Sequence, residues 1–438
     1  MFSSSIRRAW LCAAMLGALS VPLAAATGTP DAHHVDHPGP HFTLAEALAR
    51  AQARHPLFAS YRAQLQAADG RAVQAGVRPA PALNLTVENA FGTGEISGYS
   101  AAETTLGFSQ LIERGGLRDR RIETAAAGRQ QVATDADIAR LDLRAEVARR
   151  FVHVLSDQAQ LGITREATGL ATSTLAEVER RVAAARVPLA ERLRAQISLE
   201  RARLAEEHAE HELLSSRRHL AAATGSMQAD FGLAEGDLLR LPPVADFETL
   251  LAQVQATPDL LRFASETRLR ESELRLAQAR RTPGLTLGAG IRRLETSDDV
   301  GLIFSASMPL FGAPRERGNI LESEARLAQV GPEREQAMLK AQARLYEIWQ
   351  ELNHARVEVE AQRERVVPAV EQALEQTRHA YQRGRYSLLE LRDAQAEWAS
   401  QRRRLIEAAS EYHGYLIEIQ RLTGAPAPGP AATASSQP

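Results

Sequence analysis

Cysteine is all but missing: the 438 residues contain one, Cys12. A single thiol excludes a disulfide framework and a cysteine metal site. Its preceding residues, Ala9-Trp10-Leu11, are not the Leu-Ser/Ala-Gly/Ala context of a lipoprotein signal. Lysine is as scarce, Lys340 being the only one. The 52 basic residues face 54 acidic ones, for a formal net charge of -2. That balance leaves no basic face for nucleic acid. Beyond the first 26 residues no run of about 18 apolar residues remains, so helices cannot carry the mature chain across a bilayer and only a barrel of strands could. No nucleophile-base set, phosphate loop or metal-ligand motif is present either, so neither catalysis nor a bound cofactor is expected.

Two terminal stretches stand apart from the rest. Residues 1–26 run from Arg7 and Arg8 through the apolar stretch Ala9 to Leu23 and end in Ala24-Ala25-Ala26. Basic, apolar and small-residue regions in that order are an export signal; a retained signal anchor is the other reading, against which Pro22 and the small-residue exit speak. Residues 27–42 carry His33, His34, His37 and His41 with Asp31 and Asp36, among Pro30, Pro38, Gly39 and Pro40. Such a tract reads as a solvated, disordered tail or as a transient zinc or copper binder. Residues 425–438, rich in Ala, Pro and Ser, also read as disorder.

Between these ends the chain repeats itself. Ala80-Pro81-Ala82-Leu83-Asn84-Leu85 is echoed at offset 202 by Thr282-Pro283-Gly284-Leu285-Thr286-Leu287. Leu106-Gly107-Phe108-Ser109 and Gly116 are echoed at offset 196 by Leu302-Ile303-Phe304-Ser305 and Gly312. A repeat decides architecture, and two units, 43–225 and 226–424, follow. Each reads as helix, β-hairpin, very long helix, turn and long helix. Thr43 and Glu46 form an S/T-x-x-E capping box at the first helix. The stretch from Gly116 to about Ala184 has no proline, so its roughly 70 residues span about 100 Å as a helix. A rod of that length has to pack beside others. On the return helix from Pro188, Leu189, Leu193, Ile197 and Leu204 form one stripe, matched in the second half by Leu388, Leu391, Ala394 and Trp398. Both stripes are expected to be packing seams.

Four segments alternate with a period of two. Leu83, Leu85 and Val87 alternate with Asn84, Thr86 and Glu88; Leu106 and Phe108 alternate with Glu103 and Thr105; Leu285, Leu287 and Ile291 alternate with Thr286 and Arg292. Leu302 and Phe304 continue the pattern against Ser305 and Ser307. Alternation alone also fits a half-buried soluble sheet. Four strands cannot close on themselves, however, and lipid tolerates no open edge. A membrane barrel therefore needs several chains, and three give twelve strands. The fold class expected is mainly α with a small β part, the strands joining a trimeric 12-stranded outer-membrane barrel continued by a helical barrel. The lumen would be lined by Asn84, Thr86, Glu88, Glu103, Thr105, Thr286 and Arg292.

The order of these landmarks, from Phe42 to Gly424, resembles the TolC family of outer-membrane efflux proteins. Met308-Pro309-Leu310-Phe311-Gly312 looks like the family's strand-to-helix junction and Leu389-Glu390-Leu391-Arg392-Asp393-Ala394-Gln395 like its last periplasmic turn. Phe42-Thr43-Leu44-Ala45-Glu46-Ala47-Leu48, the turn from Gly384 to Leu391, and Tyr412-His413 with Arg421-Leu422-Thr423-Gly424 are most similar to the cobalt-zinc-cadmium branch. The resemblance implies a homotrimer embedded in outer-membrane lipid, partnered by a periplasmic adaptor (membrane fusion protein) and an inner-membrane proton-driven pump, with divalent heavy-metal cations as cargo. Drugs or other organic molecules are the alternative cargo, and a periplasmic coiled-coil adaptor or scaffold the alternative role. By the same resemblance Glu390, Asp393, Tyr381 and Glu191 form the periplasmic gate. Glu390 is longer than the family's usual Asp, and Arg194 stands where the second half has Asp393.

Overall fold

The computed structural model describes residues 42–310 and 312–425. The apolar N-terminal run, the segment with His33, His34, His37 and His41, and the C-terminal tail lie outside the described residues. The first pass of the chain gives α1 (Leu44–Arg54), α2 (Pro56–Ala75), β1 (Ala82–Glu88), β2 (Glu103–Ile112), α3 (Leu117–Ala183) and α4 (Leu189–Ala223). The second repeats that order with α5 (Phe247–Val254), α6 (Pro258–Ala279), β3 (Leu285–Leu294), β4 (Asp299–Ser307), α7 (Gly312–Arg315), α8 (Arg317–Ala361), α9 (Val367–Gln382) and α10 (Leu388–Thr423).

Local chemistry explains the punctuation. Thr43 and Glu46 cap α1 reciprocally, as their spacing requires. The single first helix expected from sequence is in fact two, because Pro56 drives His55 into an extended conformation (ψ 129°). His55 then accepts the Leu57 N–H on Nδ1 at 3.2 Å and starts α2. The 67-residue α3 runs without interruption and reaches about 100 Å. Its counterpart is interrupted: Pro368 lacks an N–H and its ring crowds the carbonyl of Glu364, and residues Gln362–Val366 widen into a π turn. The repeat offset accordingly grows from 196 at Gly116 and Gly312 to 199 at Ala185 and Gly384. That turn and the break at Glu316 take up the difference.

The two far turns share one geometry. After α3, the Arg186 N–H donates to the Arg181 carbonyl at 2.8 Å and the Ala185 N–H to Val182 at 2.9 Å. After α9, Arg385 donates to Ala380 and Gly384 to Tyr381, both at 2.9 Å. These are paired Schellman motifs, which require a left-handed residue. Gly384 supplies it at φ 74°, whereas Ala185 adopts φ 53° against the steric cost of its Cβ.

The four strands form one antiparallel sheet in the order β1-β2-β3-β4. Thr86 lies opposite Thr105, which lies opposite Arg292, which lies opposite Gly301. On the other face Leu85, Leu106, Ile291 and Leu302 are in register, followed by Leu83, Phe108, Ala289 and Phe304. The register therefore aligns all four alternations, one face apolar and one polar. β1 and β4 are edges with no further strand beside them among the described residues.

Below the sheet α3 packs along α2, α4, α6 and α10. Three buried clusters hold the helices. One joins Phe42, Val147, Phe151, Leu220 and Phe231, the second Phe263, Leu345, Ile348, Leu352 and Tyr412, and the third, at the far turns, Val178, Leu374, Tyr381, Leu391 and Trp398. The connection 224–246 crosses the helices like a strap. Phe42 forms a parallel bridge to Ala234 and stacks on Phe231 at 4.5 Å. Gln158 holds both polar groups of Ala234, at 2.9 and 3.0 Å. Tyr412 donates to the Pro242 carbonyl, and His413 Nε2 donates to the Leu238 carbonyl at 3.0 Å.

One packing expectation is overturned. Leu388, Leu391 and Trp398 are buried as expected, but Leu189, Leu193, Ile197 and Leu204 are between 51% and 64% exposed. Within the chain α4 packs through Ala195, Leu199, Ala209 and Leu220 instead. α4 has one long neighbour, α3, and that contact consumes its small-residue face. The leucine stripe is left uncovered.

The strap generates a test. Burial pushes the His413 pKa below its ordinary 6.5, outweighing the opposing pulls of the Leu238 carbonyl and Asp237. A histidine lowered in the folded state contributes its stability in full above that ordinary value and loses it as pH falls through the folded value. Thermal unfolding in detergent should therefore weaken between neutral and mildly acidic pH. His413→Gln should remove most of that slope and lower stability at neutral pH by about 1 kcal/mol; an unchanged slope would exclude His413 as its source.

Candidate functional site

Two places gather polar side chains with a geometry of their own, the polar face of the sheet and the turns at the far end of the rods. On the sheet Arg292 is the centre. Its Nη1 donates to Glu103 Oε2 at 2.7 Å, Nη2 to Glu88 Oε2 at 3.0 Å and Nε to Thr105 Oγ1 at 3.0 Å. β1, β2 and β3 are thus tied by one guanidinium whose fork can meet several acceptors at once. Glu103 also accepts from Asn89 at 3.1 Å, and Asn84 donates to Ser109 at 3.0 Å. Glu88, Glu103, Thr105 and Arg292 are brought together; Asn84, Thr86 and Thr286 share their face further along. The charged rungs lie at the loop end, where Asp299 faces Leu294. Towards the helices the polar face narrows to small residues, with Gly107 opposite Gly290 and Gly288 opposite Ser305. A Cβ on Gly290 would meet the Leu106 carbonyl oxygen at 2.7 Å, so the bare backbone there is required by its neighbour.

The opposite face is apolar apart from Arg293 and Thr104 at the loop end and Gln110 near the helices. Leu83, Leu85, Phe108, Leu302 and Phe304 are more than half exposed, and none of the described residues covers them. An uncovered apolar face of this extent marks a partner or a membrane. Among the described residues no helix is long and apolar enough to cross a membrane.

At the far end Tyr381 is buried, with 2% of its surface exposed. The Arg181 guanidinium lies over its ring at 4.1 Å and donates to its carbonyl at 2.7 Å, while Nε of Arg181 donates to Glu177 at 3.0 Å. The Tyr381 hydroxyl has no hydrogen-bond partner among the described residues. Burial raises its pKa; Arg181 opposes the shift, and Glu191 and Glu177 add to it. Arg181, through its contacts with Tyr381, joins the two turns, and Glu191 lies close enough for its charge to act on the tyrosine. Arg181 and Glu177 were not singled out in sequence, since an i, i+4 pair of opposite charge looks like any solvated helix face.

Glu390 sits at N3 of α10 in a capping box. Its Oε2 accepts from the Ser387 N–H at 2.6 Å and the Ser387 hydroxyl at 2.8 Å. Those bonds hold its pKa below the usual carboxylate range. Glu390 is thus a fixed, ionised cap whose Oε1 remains available. Asp393 is exposed one turn further on, and Arg194 is exposed on α4. Among the described residues no group of three or more His, Cys, Asp or Glu is arranged to hold a metal ion.

Comparison with known proteins agrees with this layout. The model of the outer membrane efflux protein family matches residues 47–226 and again 252–425. The chain is 25% identical over 382 residues to the cobalt-zinc-cadmium resistance protein CzcC of Cupriavidus metallidurans, covering 87% of this chain and 90% of that one. It is also 25% identical over 296 residues to the nickel-cobalt-cadmium resistance protein NccC of Alcaligenes xylosoxydans xylosoxydans, covering 67% and 66%. Among solved structures, CusC, described for conformational changes accompanying folding and transmembrane channel formation, superposes with a TM-score of 0.72 at 18% identity, covering 89% and 93%. That likeness establishes the fold. With a two-faced four-stranded sheet above paired rods, and a family model that matches both halves, the chain belongs to the outer membrane efflux protein family and is an outer-membrane channel.

Proposed function

We propose that three copies of this chain form the outer-membrane exit duct of a tripartite efflux system whose cargo is divalent heavy-metal cations. The observation that carries the assembly is the sheet: both edges are open among the described residues, and one face is apolar along most of its length, with Arg293 at its loop end paired to Glu295 and Asp298. In hydrocarbon each unpaired backbone group costs several kcal/mol, so β4 of one copy must pair with β1 of the next. Eight strands enclose an interior that side chains just fill, so two copies would be plugged, whereas twelve strands leave a passage. The uncovered α4 stripe supports the same assembly, since burying each leucine or isoleucine against a neighbouring copy contributes about 1.5–3 kcal/mol.

Within that assembly the polar sheet face, with Asn84, Thr86, Glu88, Glu103, Thr105, Thr286 and Arg292, lines the lumen. The two far turns form the periplasmic mouth. Glu390 and Asp393 from three copies surround one axis, and Tyr381, clamped by Arg181 beside Glu191, holds the second turn against the first. A ring of carboxylates attracts cations. Glu390 keeps its charge because Ser387 stabilises the ionised form, and Arg194 moderates the field from the first turn. The duct is passive: an inner-membrane proton-driven pump supplies the energy and a periplasmic adaptor joins the two. The cargo assignment rests on the resemblance to CzcC along almost the whole of both chains.

Deletion of the gene should sensitise the host to cobalt, zinc or cadmium, with restoration by the wild-type copy. Unaltered metal tolerance together with new sensitivity to dyes or antibiotics would reject the metal cargo in favour of organic molecules. For the mouth, Glu390→Gln with Asp393→Asn keeps the cap but removes both charges. In planar bilayers this variant should need a several-fold higher concentration of multivalent cation for half-block of conductance; wild-type block would remove both residues from the mouth.

A further inference from the structure

Charge along the sheet axis is unevenly placed. The loops at one end, 89–102 and 295–298, contain Glu95, Glu295 and Asp298 and no basic residue. At the other end arginines lie in the connections to the helices or in the first helical residues beyond: Arg78 before β1, Arg114 after β2, Arg280 and Arg281 before β3, and, after β4, Arg315 in α7 and Arg317 at the start of α8. All six are exposed. None has an acidic partner among the described residues, whereas Arg129, Arg275, Arg404 and Arg421 pair with carboxylates of neighbouring helices. The nearby Glu113 is committed to Arg121, and Glu316 accepts from Asn319 at 2.8 Å.

Six arginines without an acidic partner, gathered at the helix end of the sheet, make that end basic and attractive to anions. We propose that this collar binds the phosphate headgroups of anionic phospholipid in the periplasmic leaflet of the outer membrane, fixing the depth and orientation of the barrel. The proposal rests on the reading of the sheet as a membrane-spanning wall. Its side of that wall follows from Arg114, whose Nη1 lies 3.5 Å from Met308 Sδ. Met308 continues the positions Val300, Leu302, Phe304 and Ala306 that form the apolar face of β4. Arg114 therefore sits on the lipid side, at the foot of the apolar band. Exposed Ile112, Met308 and Leu310 lie at the same end of the strands, and an arginine beside apolar residues can reach a headgroup from the edge of the hydrocarbon. A basic cluster immediately beside a spanning segment is the general form of anionic-lipid recognition, and the planar fork of arginine suits phosphate.

The experiment uses the full-length channel in phosphatidylethanolamine nanodiscs with and without phosphatidylglycerol, and reads the phosphatidylglycerol retained through detergent exchange by native mass spectrometry. Wild type should retain phosphatidylglycerol over phosphatidylethanolamine, and less of it as salt rises. The variant Arg78→Gln, Arg114→Gln, Arg281→Gln, Arg315→Gln should lose retention by about tenfold or more. Arg203→Gln, an exposed position on α4, should retain as wild type does. Two double variants, Arg78→Gln with Arg114→Gln and Arg281→Gln with Arg315→Gln, cover a failure of the fourfold variant to fold and should each lose part of the retention. Equal retention by wild type and the collar variants overturns the lipid site while leaving the channel intact, provided all conduct in planar bilayers. Wild type that neither inserts nor conducts in any bilayer overturns the membrane reading itself.

Discussion

Hydrocarbon offers no partner to a backbone N–H or carbonyl, and that constraint governs the rest of this molecule. A four-stranded sheet with one apolar face can enter a bilayer only if its two outer strands are paired. A single chain cannot do this, because β1 and β4 lie at opposite edges of the sheet and their turn connections lead away into helices. Closure therefore has to come from other copies. Once three sheets are joined, twelve helical segments must descend from the ring in parallel, which explains rods of a length no compact core would require. It also explains a leucine stripe on α4 that the described residues of its own chain leave more than half exposed.

Charge is distributed to suit the same architecture. Within the helical part some of it is paired between rods: Arg421 of α10 reaches Asp259 of α6 at 2.6 Å and Asp142 of α3 at 2.5 Å, and Arg404 joins Glu358 at 2.6 Å. Such pairs between neighbouring rods fix their register more than they add stability. On the sheet the polar face concentrates its charge at the loop end around Arg292 and carries mostly small residues towards the helices. The far turns repeat one backbone motif with different side chains, so duplication supplies the geometry while divergence sets the chemistry. Glu191 and Glu390 occupy matching positions, yet only Glu390 caps its own helix, through Ser387.

Much of this was legible in the sequence because membrane and rod architectures impose long, regular patterns. The strands, their faces and the landmarks of the repeat come directly from period-two alternation and from the spacing of proline and glycine. Capping at Thr43 was readable from two residues. What sequence could not reveal depends on which face a helix turns to which neighbour. The α4 stripe has the same periodicity as the α10 stripe, and only packing distinguishes a seam filled within the chain from one left for another copy. The break at His55 follows from Pro56, a local signal outweighed by the helical pattern on both sides. Arg181 and Glu177 were invisible as site residues, because their role depends on a tyrosine 200 positions away. Tyr412 and His413 were noticed only by resemblance, and their work as anchors of the strap emerges from contacts across 170 and 175 positions.

The central claim is that β1 of one copy pairs with β4 of the next until three chains close. The only cysteine, Cys12, lies far from these strands in sequence, so cysteines placed singly along β1, each combined with one along β4, can report that pairing directly. Oxidation of the protein in outer membranes, followed by denaturing electrophoresis, should give covalent dimers and trimers and no larger ladder. Cross-linking should be confined to residue pairs of a single antiparallel register. Only monomers at every register, or products extending beyond three chains, would contradict the account.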